Sequence, residues 1–387
     1  MHKYLNLNKD IFKITTLFLI WRMVLILIMI LAILFVPLGY KDRFLGGGPV
    51  NYSFSPELFS WANFDGEHYL SIAIFGYKNL EQTFFPIYPM MISVFAKPIS
   101  YDFSSTLVNS TIIGLIISNI SSFFSLFILW KLVAIDFSKK IAFSVLLLLT
   151  IFPTSFYFGS LYNESFYLFI SLLCFYNARR GNLFLAGFFG MIASATRVFG
   201  ILLLPALILE AYQQKTSLKK SFWLLLIPLG LVGYMIYQYQ SVGDPLAFYN
   251  LQKLVGEQRQ SPLTLFPQIF FRYVKMIITV DRNNPIYQTV VLEFLAGLLF
   301  IIMPIYGYFR KLRKSYLLYT ILGFLLTSIQ GSLSSVPRYV LVFFPIFIAL
   351  ALWLERVPII FRIMFLLISI SLLMIETALF LRGYWVA

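Results

Sequence analysis

The sequence predicts an all-α protein that crosses the membrane many times, and three observations predict it. Hydrophobic residues fill 60% of the 387 positions and charged residues only 12%, with a mean hydropathy of +0.83. That balance belongs to a polytopic membrane protein, not a soluble globule. Apolar runs of membrane length recur along the chain with basic clusters between them. Phe (42) and Tyr (24) are abundant, as expected where span ends sit in aromatic belts. The formal charge of +14 is spread between the apolar runs, so it reads as topology signals and lipid-headgroup contacts, not as a nucleic-acid surface.

The apolar runs fall near residues 13–38, 106–130, 141–158, 162–178, 221–241, 285–308, 316–331, 338–353 and 361–382. The first is too long for a signal-peptide core and lacks a small-residue cleavage site. Thr196-Arg197 interrupts 183–213, which reads as two short spans. The stretch 84–99 contains Pro86, Pro89 and Pro98, and proline in a helix interior costs roughly 3 kcal/mol. Charge decides its status. If 84–99 does not cross, Lys131/Lys139/Lys140, Arg179/Arg180, Lys215/Lys219/Lys220, Arg310/Lys311/Arg313/Lys314 and Arg356/Arg362 all lie on the side of Lys3 and Lys9. If it crosses, those sides invert against the positive-inside rule. The expectation is one membrane domain over 1–387 with about eleven spans, a cytoplasmic amino terminus and an outer carboxyl terminus; an even-numbered bundle with 84–99 as a span is the alternative. Two outer segments follow, 39–105 with a flexible break at Gly46-Gly47-Gly48-Pro49, and 242–284.

Asn63-Phe64-Asp65-Gly66-Glu67-His68-Tyr69 places three titratable side chains within four residues in the first outer segment. A partly desolvated carboxylate there can act as a general base, or Asp65 can merely cap an interfacial helix. Helical spacing puts Asp65, His68 and Tyr69 on one face, with Glu67 beside them. Phe85-Pro86-Ile87-Tyr88-Pro89 reads as a rigid aromatic turn packed by the site. Asn163 and Glu164 open a span near the same outer face, where an acid is favoured by the helix dipole whether or not it binds substrate. Arg197 and Arg338, the latter followed by Tyr339, interrupt apolar sequence at outer boundaries. Such residues serve either as phosphate ligands or as snorkelling anchors. Arg22 reads as an anchor near the cytoplasmic end of the first span, and Asp244-Pro245 as a turn.

Other chemistries find no support. Cys174 is the single cysteine and His2 and His68 are the two histidines, too few for a Cys/His zinc site. No P-loop, dinucleotide turn, HExxH or nucleophile elbow occurs. A transporter or flippase of a lipid-linked or small solute is the rival reading. Against it, the middle thirds of the spans look nearly free of ionisable groups, which gather instead at one face.

The blocks FDGEHYLSIAIFGY with TFFPIYPMMI (64–92), FPTSFYFGSLYNESFYLFISL (152–172), ATRVFGILLLPALILE (195–210), GDPLAFY (243–249) and SVPRYVLVFFPIF (335–347) occur in this order. In them the chain resembles the PIG-V mannosyltransferases of the GT-C glycosyltransferase superfamily, in their shorter bacterial form. The resemblance implies a GT-C-like helix bundle with interfacial helices in the first outer loop. It implies transfer of a mannosyl residue from a polyprenyl-phosphate sugar to a lipid-linked or glycan acceptor, with inversion. The catalytic loop then lies on the outer or lumenal face, of a bacterial plasma membrane or a eukaryotic endoplasmic reticulum. Asp65 becomes the catalytic base, with Glu67, His68, Tyr69, Tyr88, Asn163, Glu164, Arg197, Arg338 and Tyr339 as substrate-binding residues. Phe64 stands where the family usually has Trp, and Val198 where Pro commonly follows Thr-Arg; both bear on sugar specificity. Neither an essential metal nor another cofactor is expected, because a guanidinium can neutralise the leaving phosphate; a divalent ion shared by Asp65 and Glu67 is the alternative. Expected partners are the lipid-linked donor, the acceptor and membrane lipids, and no nucleic acid.

Overall fold

The structure is a computed structural model that describes residues 2–39, 49–78, 80–252, 266–282, 286–328 and 331–386. All regular structure among them is helical. The Gly46–Gly48 break and much of the second outer segment lie outside the described residues.

Five helices are long and apolar enough to cross a membrane: Asn8–Phe35, Phe103–Asp136, Leu218–Val242, Ile286–Phe309 and Ile359–Leu381. Each turns an apolar stripe outward, such as Leu19, Met23 and Leu27 on the first or Ile363 and Leu367 on the last. A chain this apolar meets lipid with those stripes. The integral membrane character expected from composition holds.

The remaining apolar runs are shorter as helices than as sequence. The run 141–158 is a 12-residue helix, Lys139–Thr150, followed by a non-helical stretch with a short 3-10 turn at Ser155–Gly159. Run 162–178 is the 16-residue helix Glu164–Arg179. Run 316–331 shortens to Lys314–Ser328, and 338–353 breaks into Val336–Val340 and Pro345–Leu354. These elements occupy the middle of the bundle: Leu149, Phe156, Phe175, Phe343, Phe344 and Phe347 are completely buried. A helix surrounded by protein can stop inside the membrane thickness, because its end groups and the loops beyond find protein partners instead of lipid. Among the described residues five helices, not about eleven, have the length and apolar composition of a span. Five long helices enclose shorter ones whose loops lie within the bundle.

The stretch 84–99 needs a different correction. It does form a helix, Ile87–Ala96, with Pro86 preceding it, Pro89 in its first turn and Pro98 in a 3-10 turn after it. Prolines at helix starts cost little, so they do not argue against the helix. Ten residues rise only about 15 Å, half of the roughly 30 Å hydrocarbon thickness. Length, not proline, is the argument against this element spanning. It packs on the Asp65–Phe75 helix and on Phe103–Asp136. Residues 183–213 form the expected hairpin, Leu183–Ser194 and Leu203–Gln213 with Arg197 at the bend.

Most charged side chains sort to the two ends. At one end Lys139 pairs with Asp10 (2.5 Å), Lys140 with Glu355 (3.2 Å), Arg179 with Asp136 (2.5 Å) and Arg313 with Glu210 (2.7 Å). Glu164 begins the helix that Arg179 ends, so its surroundings lie at the opposite end. Basic residues from the first, second and fourth clusters thus share one end with Asp10, as an uncrossed 84–99 requires.

Candidate active site

The site is assembled from three bends. The first follows the turn at Ser60–Ala62, where Asn63 Nδ2 donates to the Phe380 carbonyl (2.8 Å) and so ties the bend to the last helix. Phe64 then adopts φ +59°, a region that costs a side-chain-bearing residue on the order of 1–3 kcal/mol. Its ring is held between Phe380 (5.9 Å) and Trp385 (5.4 Å). Asp65 is the first residue of the Asp65–Phe75 helix, and Phe64 holds its N-cap position. The Asp65 carboxylate meets Arg338 Nη1 at 2.5 Å.

The second bend carries Asn163 and Glu164. Glu164 is 1% exposed; its Oε1 accepts from Arg197 Nη1 at 2.7 Å and lies 3.4 Å from Arg338 Nε. Asn163 accepts from the same Arg197 nitrogen (3.1 Å) and donates to the Thr196 carbonyl (3.1 Å), which fixes the hairpin tip. The third bend is Val336–Val340, pinned by Thr154 Oγ1 donating to the Pro337 carbonyl (2.8 Å).

Asp65, Arg338, Glu164 and Arg197 thus form one row of alternating charge. Isolated, any of them would carry a large desolvation cost; alternation offsets it. Aromatic faces complete the shell. Arg338 lies over Tyr157, Tyr162 and Tyr339, and Arg197 over Phe199 and Tyr339, all at 5.4–5.6 Å. Such contacts strengthen when water is excluded. Tyr69 is buried with its ring edge-on to Tyr88 (5.1 Å) and Phe84 (5.4 Å). Burial, then the charge of Glu164, holds its phenol protonated.

Of the residues expected from sequence, Asp65, Asn163, Glu164, Arg197, Arg338, Tyr339 and Tyr69 are brought together. Others are not. Tyr88 is fully buried, and its hydroxyl is used internally on the Gly114 carbonyl (3.0 Å) and Ser118 Oγ (2.7 Å). It braces the wall and presents nothing to a substrate. His68 does not share the inward face with Tyr69: it is 48% exposed, stacked on Phe84 (4.7 Å), with Nδ1 3.8 Å from Glu81. Glu67 is partly buried on the same helix. Asp244 makes the expected turn, accepting from the Leu246 amide and Asn250 Nδ2 (both 2.8 Å).

Sequence reasoning misplaced Arg22 and missed Glu293. Arg22 lies near the middle of Asn8–Phe35, so one span does carry an ionisable group in its middle third. It donates to the Gly159 carbonyl (3.2 Å) and lies over Trp61 (4.4 Å), supporting two of the three bends instead of anchoring a headgroup. Glu293 is the lone acid of Ile286–Phe309 and hydrogen-bonds next to Arg338; its isolation in an apolar run was the available signal. Among the described residues no three His, Cys, Asp or Glu side chains gather as metal ligands would.

Similarity to known proteins bears on what this site serves. No curated protein matches the chain. Among solved structures it is similar to the Archaeoglobus fulgidus oligosaccharyltransferase in complex with zinc and sulfate, with 14% identity and a TM-score of 0.44. That likeness covers 95% of this chain and 53% of the other, so the chain spans about half the length of that enzyme. A family model described as mannosyltransferase (PIG-V) matches residues 12–226, a segment that contains Asp65, Glu164 and Arg197 and ends before Arg338. The match extends over more than half of the sequence, and the chain belongs to the mannosyltransferase (PIG-V) family.

Proposed function

We propose that this membrane glycosyltransferase moves a mannosyl residue from a polyprenyl-phosphate donor to a hydroxyl of a lipid-linked or glycan acceptor. The reaction takes place at the outer or lumenal face, with inversion and with Asp65 as general base. One observation carries the reading: a partly buried carboxylate that can take a proton and two buried guanidiniums that can take a phosphate lie in one row. The position of the row suits a lipid-borne substrate. Glu164 and Arg179 bound a 16-residue helix, about 24 Å long, and Arg179 belongs to the charged cluster of the opposite end. The bilayer core is roughly 30 Å thick, so Glu164 sits some way below the far surface.

The chemistry then follows from the residues. The acceptor oxygen bonds to the anomeric carbon as the bond from that carbon to the phosphate oxygen breaks. Asp65 receives the hydroxyl proton, and the polyprenyl phosphate leaves with the electron pair. Arg338 is the natural partner of that leaving group, through charge-assisted hydrogen bonds. Before donor binds, Arg338 is engaged with Asp65. A phosphate that draws the guanidinium away leaves Asp65 without its cation, and a carboxylate so released accepts a proton more readily. Donor binding and base activation are in this way one event, which guards the donor against stray hydrolysis.

The test is purified protein with labelled polyprenyl-phosphate-mannose and candidate acceptors, wild type against Asp65→Asn. General base catalysis contributes roughly 10²–10⁴-fold, so turnover of the variant falls by that order while donor binding persists. Arg338 keeps Glu164 as counter-ion, so the melting temperature falls less than in Arg338→Ala. Turnover within a few-fold of wild type refutes Asp65 as base.

A further inference from the structure

The segment that delivers Arg338 carries a backbone conformation its sequence does not favour. Ser335 adopts φ +64°, a left-handed conformation that glycine takes freely and a residue with a Cβ takes at a cost. It stands directly before the Val336–Val340 helix, and its carbonyl accepts from the amides of Arg338 (3.1 Å) and Tyr339 (3.0 Å). The direction in which Arg338 leaves the backbone is therefore set at Ser335.

Two buried side chains from other helices hold this turn. Glu293, 6% exposed on Ile286–Phe309, accepts from the Ser335 amide with Oε1 (3.3 Å) and from the Tyr273 hydroxyl with Oε2 (2.7 Å). Tyr273, 4% exposed on Phe266–Thr279, accepts in turn from the Leu333 amide (3.1 Å). Carboxylate and phenol together satisfy two amides of the turn, two residues apart. The row that includes Asp65 does not contain Glu293, and the chemistry above has no task for it. A buried acid in an apolar helix is expensive, and its bonds are spent on one strained turn.

We propose that Glu293, with Tyr273, is a positioning residue: it holds Ser335 in the left-handed conformation and so aims Arg338 at Asp65 and at the donor phosphate. The claim rests on the functional reading only for what Arg338 grips, not for what Glu293 holds.

The test is a two-site cycle. In Glu293→Gln one carboxylate oxygen becomes an NH2 donor. Facing Tyr273 it competes with the Leu333 amide for the phenol oxygen, and facing Ser335 it meets an amide N–H. Either way a bond of the turn is weakened. Donor KM then rises on the order of ten-fold with acceptor KM little changed, and the melting temperature falls. Ser335→Gly in the Glu293→Gln background supplies the left-handed conformation without the acid, and recovers most of both losses. Its stabilising effect there exceeds its effect in the wild-type background. Recovery of the melting temperature without donor KM assigns Glu293 a contact with substrate and overturns the proposal. So does a Glu293→Gln protein that matches wild type in both measurements, or a cycle in which Ser335→Gly recovers neither. If wild type transfers no mannose from this donor, the functional reading falls, and the melting-temperature half of the cycle still decides what Glu293 does.

Discussion

Arg338 and Asp65 stand 273 positions apart and meet at 2.5 Å. The pair joins the first bend after the first long helix to the last bend before the final one. Arg338 is also the cation shared by two acids, since Glu164 lies 3.4 Å from its Nε. Removing one partner from a buried ion pair typically costs about 3–5 kcal/mol, because the other charge is left uncompensated. Arg338→Ala is therefore expected to lower the melting temperature strongly as well as donor affinity. Arg338→Lys separates the two: a lysine keeps the charge but not the planar fork. Its melting temperature should stay near wild type while donor KM rises. A lysine variant with unaltered donor KM would make Arg338 a structural counter-ion only.

The reach of sequence reasoning can be judged from these same residues. Asp65, Glu164, Arg197 and Arg338 were legible because each is a charge in an apolar stretch where charge is costly. Their convergence was inferred from topology, and in the structure the four lie within ion-pairing distance of one another. What topology could not show is that they neutralise one another, because pairing needs distances. The short interior helices were not legible either. Along 141–158 the helix stops at Thr150, just ahead of Pro153, which cannot continue it. Ser155 Oγ then donates to the Thr150 carbonyl (2.6 Å) and Trp21 reaches Ser155 from the first helix (3.3 Å). The Trp21 contact comes from far away in sequence. Tyr88 shows the opposite error: it lies in the most recognisable block, and its fully buried hydroxyl serves packing.

A second prediction concerns the hairpin tip that presents Arg197. A Cβ built on Gly200 would lie 2.3 Å from the Ala193 carbonyl carbon and from the Ser194 amide nitrogen. These are backbone atoms and cannot rotate away, so Gly200→Ala must shift the turn that begins at Arg197. Overpacking of this kind costs typically 1–3 kcal/mol. A lower melting temperature is expected together with weaker donor binding, through displacement of Arg197 from Glu164. Normal values for both would show that the hairpin tip adapts without moving the guanidinium.

Tyr88→Phe tests the division between wall and site. The substitution keeps the ring against Tyr69 and removes a hydroxyl that serves the Gly114 carbonyl and Ser118. Loss of such a buried bond is worth about 1 kcal/mol. The expected result is a modest fall in melting temperature with KM for donor and acceptor unchanged. A raised KM for either substrate would return Tyr88 to the binding site.

The last prediction rests on His68 and Glu81, outside the membrane-spanning segments. Burial alone would lower the His68 pKa. The contact with Glu81 (3.8 Å) and the charges of Asp65, Glu81 and Glu67 outweigh it, and the net shift is upward from 6.5. Burial likewise tends to raise Glu81, but its bonds to His68, Ser71 and the Lys78 amide prevail, and its pKa falls below 4.5. The signs then fix the window. A histidine whose folded pKa is raised contributes stability that is fully present below its unfolded value and is lost as pH rises through the folded one. A carboxylate whose folded pKa is lowered contributes above its unfolded value and loses that contribution as pH falls through the folded one. The pair therefore stabilises most between about pH 4.5 and pH 6.5 and weakens on the alkaline side. His68 is half-exposed, so solvent screening keeps the contribution below about 1 kcal/mol. Melting temperatures of wild type and Glu81→Gln, measured from pH 5 to pH 9, should differ most near pH 6 and converge above pH 8. A difference that stays constant across that range would mean that Glu81 acts through the Lys78 amide, which it accepts at 2.8 Å, and not through a charged His68.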